Sequence, residues 1–193
     1  MQNTLKLFMI LLGFNWKKGG FTTEQHDIIF LVGNDINDPA LLKQIKSSLP
    51  EEISQKASVH IDAYVEITQA DGYRVEVFPK QSATSDSDKK LYFINLGGYL
   101  TGQFKEFHKP LLLVDTGVGT VLERAKKDSF MFEMEALHVK AIPHVDDNHS
   151  IQSVIDDYVD VAEKIQGYQI VVTPHEGVDS IENPVILGYE KVA

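Results

Sequence analysis

The chain repeats itself, and no other feature restricts its fold as much. "LFMILLGF" (residues 7–14) is answered by "LYFINLGG" (91–98), and "EQHDIIFLVG" (24–33) by "EFHKPLLLVD" (106–115). "VHIDAYVEI" (59–67) is answered by "LHVKAIPHV" (137–145), and "DGYRVEVF" (71–78) by "QGYQIVVT" (166–173). The blocks keep one order in both halves, the signature of an internal duplication. Short apolar, β-branched and aromatic runs bounded by Gly, Asn and Asp read as strands. Each half therefore reads strand, strand, helix, strand, strand. The expected fold is α+β, a tandem duplication of a β-β-α-β-β unit with pseudo-two-fold symmetry. The expected boundaries are 1–79 for the first unit, 80–90 for a polar Ser/Asp/Lys linker, 91–177 for the second unit, and 178–193 for a tail. "PVILGYE" (184–190) in that tail reads as a strand completing a sheet.

The first helix starts at Asp38, an N-cap, followed by Pro39 at the first helical position. Leu41, Leu42, Ile45 and Leu49 then share one face. Its counterpart is expected from Thr120, where Thr120-x-x-Glu123 spells a capping box. One further element is expected in the second unit only. From Ser150, the residues Ile151, Val154, Ile155, Tyr158, Ala162 and Ile165 fall at helical spacing and Gly167 follows as a stop, which predicts an extra long helix. The apolar opening segment has a twin inside the chain, so it reads as a strand of the fold and not as a leader.

With 193 residues and 43% hydrophobic residues, the chain has the means to bury a core. Its formal net charge of −10 disfavours a nucleic-acid partner, which would need a basic face. It contains no cysteine, so disulfides and thiolate chemistry are excluded, and a cytoplasmic location fits. No apolar run has the length of a membrane span.

Several of these blocks carry a family resemblance. "LGFNWKKGGFTTEQHDIIFLVG", "VHIDAYVEI" and "DGYRVEVF" together resemble a small bacterial family called domain of unknown function 1543. Its most specific elements are the Leu-Gly after the first strand, the Glu-x-His and the His-x-Asp-Ala. The resemblance covers both halves apart from the linker and the tail, and implies two tandem copies in a bacterial protein. The second half departs from the pattern, with Lys109 where the first has Asp27 and Lys140 where it has Asp62. The family implies no activity.

The residues that could carry chemistry are Glu24, His26, His60 and Asp62, with pseudo-symmetric counterparts Glu106, His108 and His138. Residues two apart on an extended segment point the same way, so Glu24 can meet His26 and His60 can meet Asp62. Two histidines and a carboxylate match the composition of an open site for a divalent metal, iron or zinc. The same pairs would serve as general acid and base. Set against both is a purely architectural role, in which each carboxylate orients its neighbouring ring; repetition in both halves favours it. The reading that follows is a small-molecule- or protein-binding module with a cleft near the Glu-x-His segments, the alternative being a metal-dependent or acid–base enzyme using Glu24, His26 and His60. Because of the two lysines, the first unit is the better place for any chemistry.

Two further patterns compete. Asp115-Thr116-Gly117 after an apolar run resembles the active-site triplet of aspartic proteases, in which two such carboxyls share a proton. Read as Asp-x-Gly-x-Gly, it resembles the first motif of nucleotide-fold methyltransferases, but too little chain follows for a doubly wound sheet. The plain reading is a strand–turn–helix corner. Finally, "GFNWKKGGF" (13–21), with the only tryptophan, reads as a long Gly-rich loop able to form a binding lip, and "GYLTGQF" (98–104) parallels it.

Overall fold

The computed structural model describes residues 5–18, 21–51, 53, 58–80, 87–99, 106–130, 155–175 and 183–192. It shows an α+β fold in which every strand pairing is antiparallel and the helices are few and short. Two compact units emerge, residues 1–85 with 164–193, and residues 86–163. Among the described residues no helix is long and apolar enough to cross a membrane.

In the first unit, β1 (Lys6–Lys18) and β2 (Phe21–Gly33) form one long hairpin. The expected Gly13–Phe21 loop is thus largely strand: Gly13 to Lys18 continue β1, each paired with a residue of β2. Nothing in Gly-Phe-Asn-Trp forbids extension, and the partner strand supplies the ladder bonds that these residues would otherwise owe to water. The parallel segment beginning at Gly98 is likewise strand as far as Tyr99. Helix α1 (Pro39–Ser48) follows, with Asp38 as N-cap accepting from the Ala40 N–H at 2.8 Å. β3 (Val59–Ile67) then pairs with β1 on the side opposite β2, and β10 (Val185–Lys191) closes the sheet as β10-β3-β1-β2. The strand expected in the tail is therefore present.

One face of this sheet packs under α1. Phe8, Ile10, Leu12 and Phe14 alternate along β1 with Val59 and Ile61 beside them, and Leu41, Ile45 and Leu49 fill the space above. The opposite face carries Met9, Leu11 and Gly13 on β1, with Phe30, Ile28 and His26 facing them from β2. A register shift interrupts the β1–β3 ladder between Leu11 and Leu12, so Leu11 opposes Ala63 while Leu12 opposes Ile61, and Asp62 is the extra residue of a bulge.

The first unit also holds a small sheet, β4 (Gln69–Ala70), β5 (Tyr73–Pro79) and β9 (Tyr168–Pro174). The turn between β4 and β5 places Asp71 and Gly72 at φ of 54° and 77°, the left-handed pair a tight hairpin requires. Tyr168–Pro174, which the repeat assigns to the second half, thus pairs with β5 and lies in the first compact unit.

The second unit opens with the hairpin of β6 (Lys90–Tyr99) and β7 (Glu106–Asp115), followed by α2 (Val118–Ala125). Tyr92, Ile94 and Leu96 face Val121 and Ala125 of that helix. Its start differs from expectation. Gly117 is the N-cap, Thr120 Oγ1 donates back to the Gly117 carbonyl at 2.7 Å, and Glu123 pairs with Lys126. Thr120 lies inside the first turn, where its hydroxyl finds a carbonyl and no free N–H, so the capping box does not form.

The long helix expected from Ser150 is overturned. Residues 155–160 form a strand, β8 (Ile155–Asp160), paired with β6, and only α3 (Val161–Lys164) is helical; Ile151 and Val154 lie outside the described residues. β8 stands to β6 as β3 stands to β1, down to a register shift between Asn95 and Leu96 that leaves Asp156 as the extra residue. The sequence follows suit: "IDDYVDV" (155–161) matches "IDAYVEI" (61–67) better than residues 137–145 match the β3 block.

Candidate functional site

Three strands meet at Gly13. In the ladders of the first sheet, Gly13 lies opposite His26 of β2 on one side and His60 of β3 on the other, and Glu24 lies opposite Asn15 one pair further along. Period-two alternation puts Glu24 and His26 on the sheet face away from α1. His60 and Asp62, two residues apart on β3, share that face as well, Asp62 being the extra residue of the bulge. Glu24 and His26 thus lie within β2, not in a loop ahead of it.

Four side chains converge there. His60 Nε2 is 3.1 Å from Asp62 Oδ1 and 3.4 Å from Glu24 Oε1, and His26 Nε2 is 3.3 Å from Asp62 Oδ2. Exposure falls from the rim inwards: Glu24 53%, His26 49%, Asp62 26%, His60 1%. Gly13 makes the arrangement possible. A Cβ at this position would stand 2.3 Å from His60 Nε2 and 2.5 Å from Asp62 Oδ2, inside any tolerable contact. The imidazole therefore occupies the room that a side chain on the central strand would have taken. Gly13 is the participant the sequence did not single out, although the Leu-Gly written in both halves was its signal.

The chemistry of the cluster follows from its donors. Carboxylate oxygens only accept, and the His60 nitrogen that faces them is Nε2. An N–H shared between two oxygens makes a three-centre contact that serves neither fully, and Asp62 Oδ2 is buried without a hydrogen-bond partner among the described residues. The cluster thus offers more acceptor capacity than its own imidazoles can serve at once. Among the described residues no group of three or more His, Asp or Glu side chains is arranged to hold a metal ion. The donors are strung along a chain from Glu24 through His60 and Asp62 to His26, and do not surround one point.

The second unit repeats the frame without the cluster. Gly97 lies opposite His108 and Tyr99 opposite Glu106, as Gly13 and Asn15 lie opposite His26 and Glu24. Here His108 Nε2 stands 3.8 Å from Glu106 Oε2, and the Asn95 amide approaches His108 Nδ1 at 3.2 Å. Lys109 turns to Asp128 with bonds of 2.8 and 3.0 Å, tying β7 to the end of α2. His138 lies outside the described residues. Since β8 occupies the place of β3, the residue corresponding to His60 in sequence is Val154, and Asp156 corresponds to Asp62.

Asp115 does not look like one of a proton-sharing pair. Its Oδ1 accepts from the Thr116 N–H at 2.9 Å and its Oδ2 from Arg124 Nη1 at 3.2 Å. The backbone N–H first, and the guanidinium after it, hold this carboxyl below its ordinary range. Both oxygens are thus engaged by donors within this unit, and among the described residues neither meets a second carboxyl. The triplet leads into α2, and its role is to anchor the helix to the end of β7.

Comparison with known proteins places this architecture without explaining it. A family model described as Domain of Unknown Function (DUF1543) matches residues 21–77, which include Glu24, His26, His60 and Asp62. The crystal structure of protein Il1583 from Idiomarina loihiensis is similar at a TM-score of 0.58 and 17% identity, over 98% of this chain and 99% of that one. At that identity the likeness concerns the fold alone. No curated protein matches the sequence.

Proposed function

We propose that the first unit is a small-molecule-binding module whose site is the Glu24–His26–His60–Asp62 cluster over Gly13. The carrying observation is that one imidazole nitrogen of His60 faces two carboxylate oxygens, at 3.1 and 3.4 Å, while Asp62 Oδ2 is buried without a hydrogen-bond partner among the described residues. A ligand bearing N–H donors or a positive charge would satisfy the oxygen that His60 leaves over, and half-exposed Glu24 and His26 leave it a way in. The test is a titration of the ring resonances of His26 and His60 with methylguanidinium, against acetate as control. At about 10 mM, where even a millimolar Kd approaches saturation, both rings should shift with the cation only. Asp62→Asn should abolish the response. Rings indifferent to methylguanidinium would end this reading.

A second reading is an acid–base enzyme using Glu24, His26 and His60. It is favoured by Asp62, which links a buried imidazole to a half-exposed one and so joins the interior to solvent by proton-bearing groups. A ligand recovered unchanged after binding fits the module; a converted one fits the enzyme.

We propose as well that the chain is a tandem duplication. Support comes from the hairpin registers, from the bulges at Leu11/Leu12 and Asn95/Leu96, and from the ion pairs Lys6–Glu66 (2.8 Å) and Lys90–Asp160 (2.6 Å) at matching places. β5 and β9 add a reciprocal pair of bonds, Lys80 N–H to the Gly167 carbonyl and His175 N–H to the Gly72 carbonyl. Such exchange is what two strands related by a two-fold axis make. On this reading only the first copy carries a complete cluster.

A further inference from the structure

We infer that the first unit has a second binding site, for a free α-amino acid with an apolar side chain, in a trough along β5. Two cavities of about 340 and 310 Å³ adjoin there, sharing Thr68, Val75 and Glu76 in their walls. Each lies in the size range of small-ligand sites.

The two ends differ in character. The larger cavity is floored by Leu7, Ile67, Val75 and Val77, all buried, with Phe78 at its edge. The Lys6–Glu66 ion pair stands at its wall, each charge already matched. The smaller cavity is lined by Arg74, Glu76, His175, Thr68 and Gln69. Its wall is well braced. The Asn183 carboxamide accepts from the Thr68 N–H and hydroxyl at 3.0 Å each, and donates to the Gln69 carbonyl at 2.7 Å. His175 is held beside the β4–β5 turn by its N–H bond to the Gly72 carbonyl at 2.9 Å.

Arg74 and Glu76 decide the ligand class. They are successive residues on the exposed side of β5, roughly 7 Å apart along the strand. Among the described residues neither forms an ion pair, with the other or with anything else. A cation and an anion side by side, neither in an ion pair among the described residues, suit a ligand that carries both charges close together. Its carboxylate would meet Arg74 at the His175 end. Its ammonium would meet Glu76, the one charged residue that both cavities share, and its side chain would enter the apolar cavity. A peptide terminus carries only one of the two charges, and a fatty acid lacks the ammonium that Glu76 calls for.

The test is calorimetric titration of the full chain with L-leucine, 4-methylpentanoate (no ammonium), 3-methylbutylamine (no carboxylate) and glycine (no tail). L-leucine should bind, and each truncated probe should bind about tenfold more weakly or worse, one lost charged contact, or for glycine the lost apolar side chain, being worth about that factor. Arg74→Ala and Glu76→Gln should each weaken L-leucine about tenfold with no change in melting temperature, since both side chains are exposed. Asp62→Asn should leave L-leucine binding unchanged, which separates this site from the cluster at Gly13. Absence of L-leucine binding, equal binding of all four probes, or an Arg74→Ala variant that binds as the parent does would overturn the inference.

Discussion

Gly13→Ala tests the site more sharply than removing any of its charged members. A Cβ there would meet His60 Nε2 at 2.3 Å, Asp62 Oδ2 at 2.5 Å and His60 Cδ2 at 2.9 Å. His60 is 1% exposed, so its ring has little room to swing away, and the bulge fixes the backbone that carries Asp62. Overpacking of this kind costs about 1–3 kcal/mol. Pushing the imidazole off its carboxylates leaves buried polar groups ill-matched, for about 1–3 kcal/mol more. Against this, alanine restricts the unfolded chain and returns about 0.4–1 kcal/mol, a gain available because Gly13 lies in a regular strand. The net expectation is a loss of about 1–5 kcal/mol, read from urea unfolding by far-UV circular dichroism at pH 7. A cycle with His60→Ala isolates the cause: once the ring is gone, Gly13→Ala should cost at least about 1 kcal/mol less than it does in the parent. A Gly13→Ala variant within about 0.5 kcal/mol of the parent, or one whose cost is the same in both backgrounds, would refute the claim that the ring fills the space over Gly13.

Asp38→Ala removes the cap of α1 and should cost about 1 kcal/mol in the same assay, with Asp38→Asn close to neutral. Asn183→Ala strips the brace from Thr68 and Gln69 and should cost about 1–3 kcal/mol, with faster hydrogen exchange at those two amides as the local readout. Asp115 titrates lower in the folded chain than in the unfolded one, so its contribution is present above the unfolded pKa and lost as pH falls through the folded one. Asp115→Asn should therefore flatten the fall in stability on acidification below about pH 4, and a slope equal to the parent's would show that the Thr116 and Arg124 bonds do not act on the charge. Lys109→Met breaks a partly exposed pair and should cost no more than about 1 kcal/mol.

The parts of the fold legible in the sequence are those where local chemistry and tertiary demand agree. Asp38-Pro39 starts α1 because the cap and the proline both suit a helix N-terminus, and Leu41 and Ile45 face a sheet that is there to receive them. Thr120-x-x-Glu123 has the same local credentials but sits three residues past the N-cap, Gly117. The turn is set instead by Asp115, whose bonds to Thr116 and Arg124 fix where the chain leaves β7. The convergence of Glu24 with His26, and of His60 with Asp62, followed from alternation. That the two pairs converge on each other did not, because it depends on β1 lying between β2 and β3 with a glycine at the crossing point, a fact of sheet order.

The misread helix and the misplaced counterpart of His60 have one physical origin. A β-bulge adds a residue, so the side chains flanking it that share a face are three apart and not two. In β8 this puts Ile155 opposite Leu96 and Tyr158 opposite Ile94, both on the face under α2, at the spacing an amphipathic helix would use. β3 does the same with Ile61 and Tyr64, opposite Leu12 and Ile10. Periodicity alone cannot separate a bulged strand from a turn of helix, but comparing the two halves can, since "IDAYVEI" forms a strand and "IDDYVDV" is its near copy. The copy shifts the counterpart of His60 from His138 to Val154. Where the first half writes His60-Ile61-Asp62, the second writes Val154-Ile155-Asp156. Glu-x-His is thus common to both halves, and the His60–Asp62 pair that turns it into a four-membered cluster is written once.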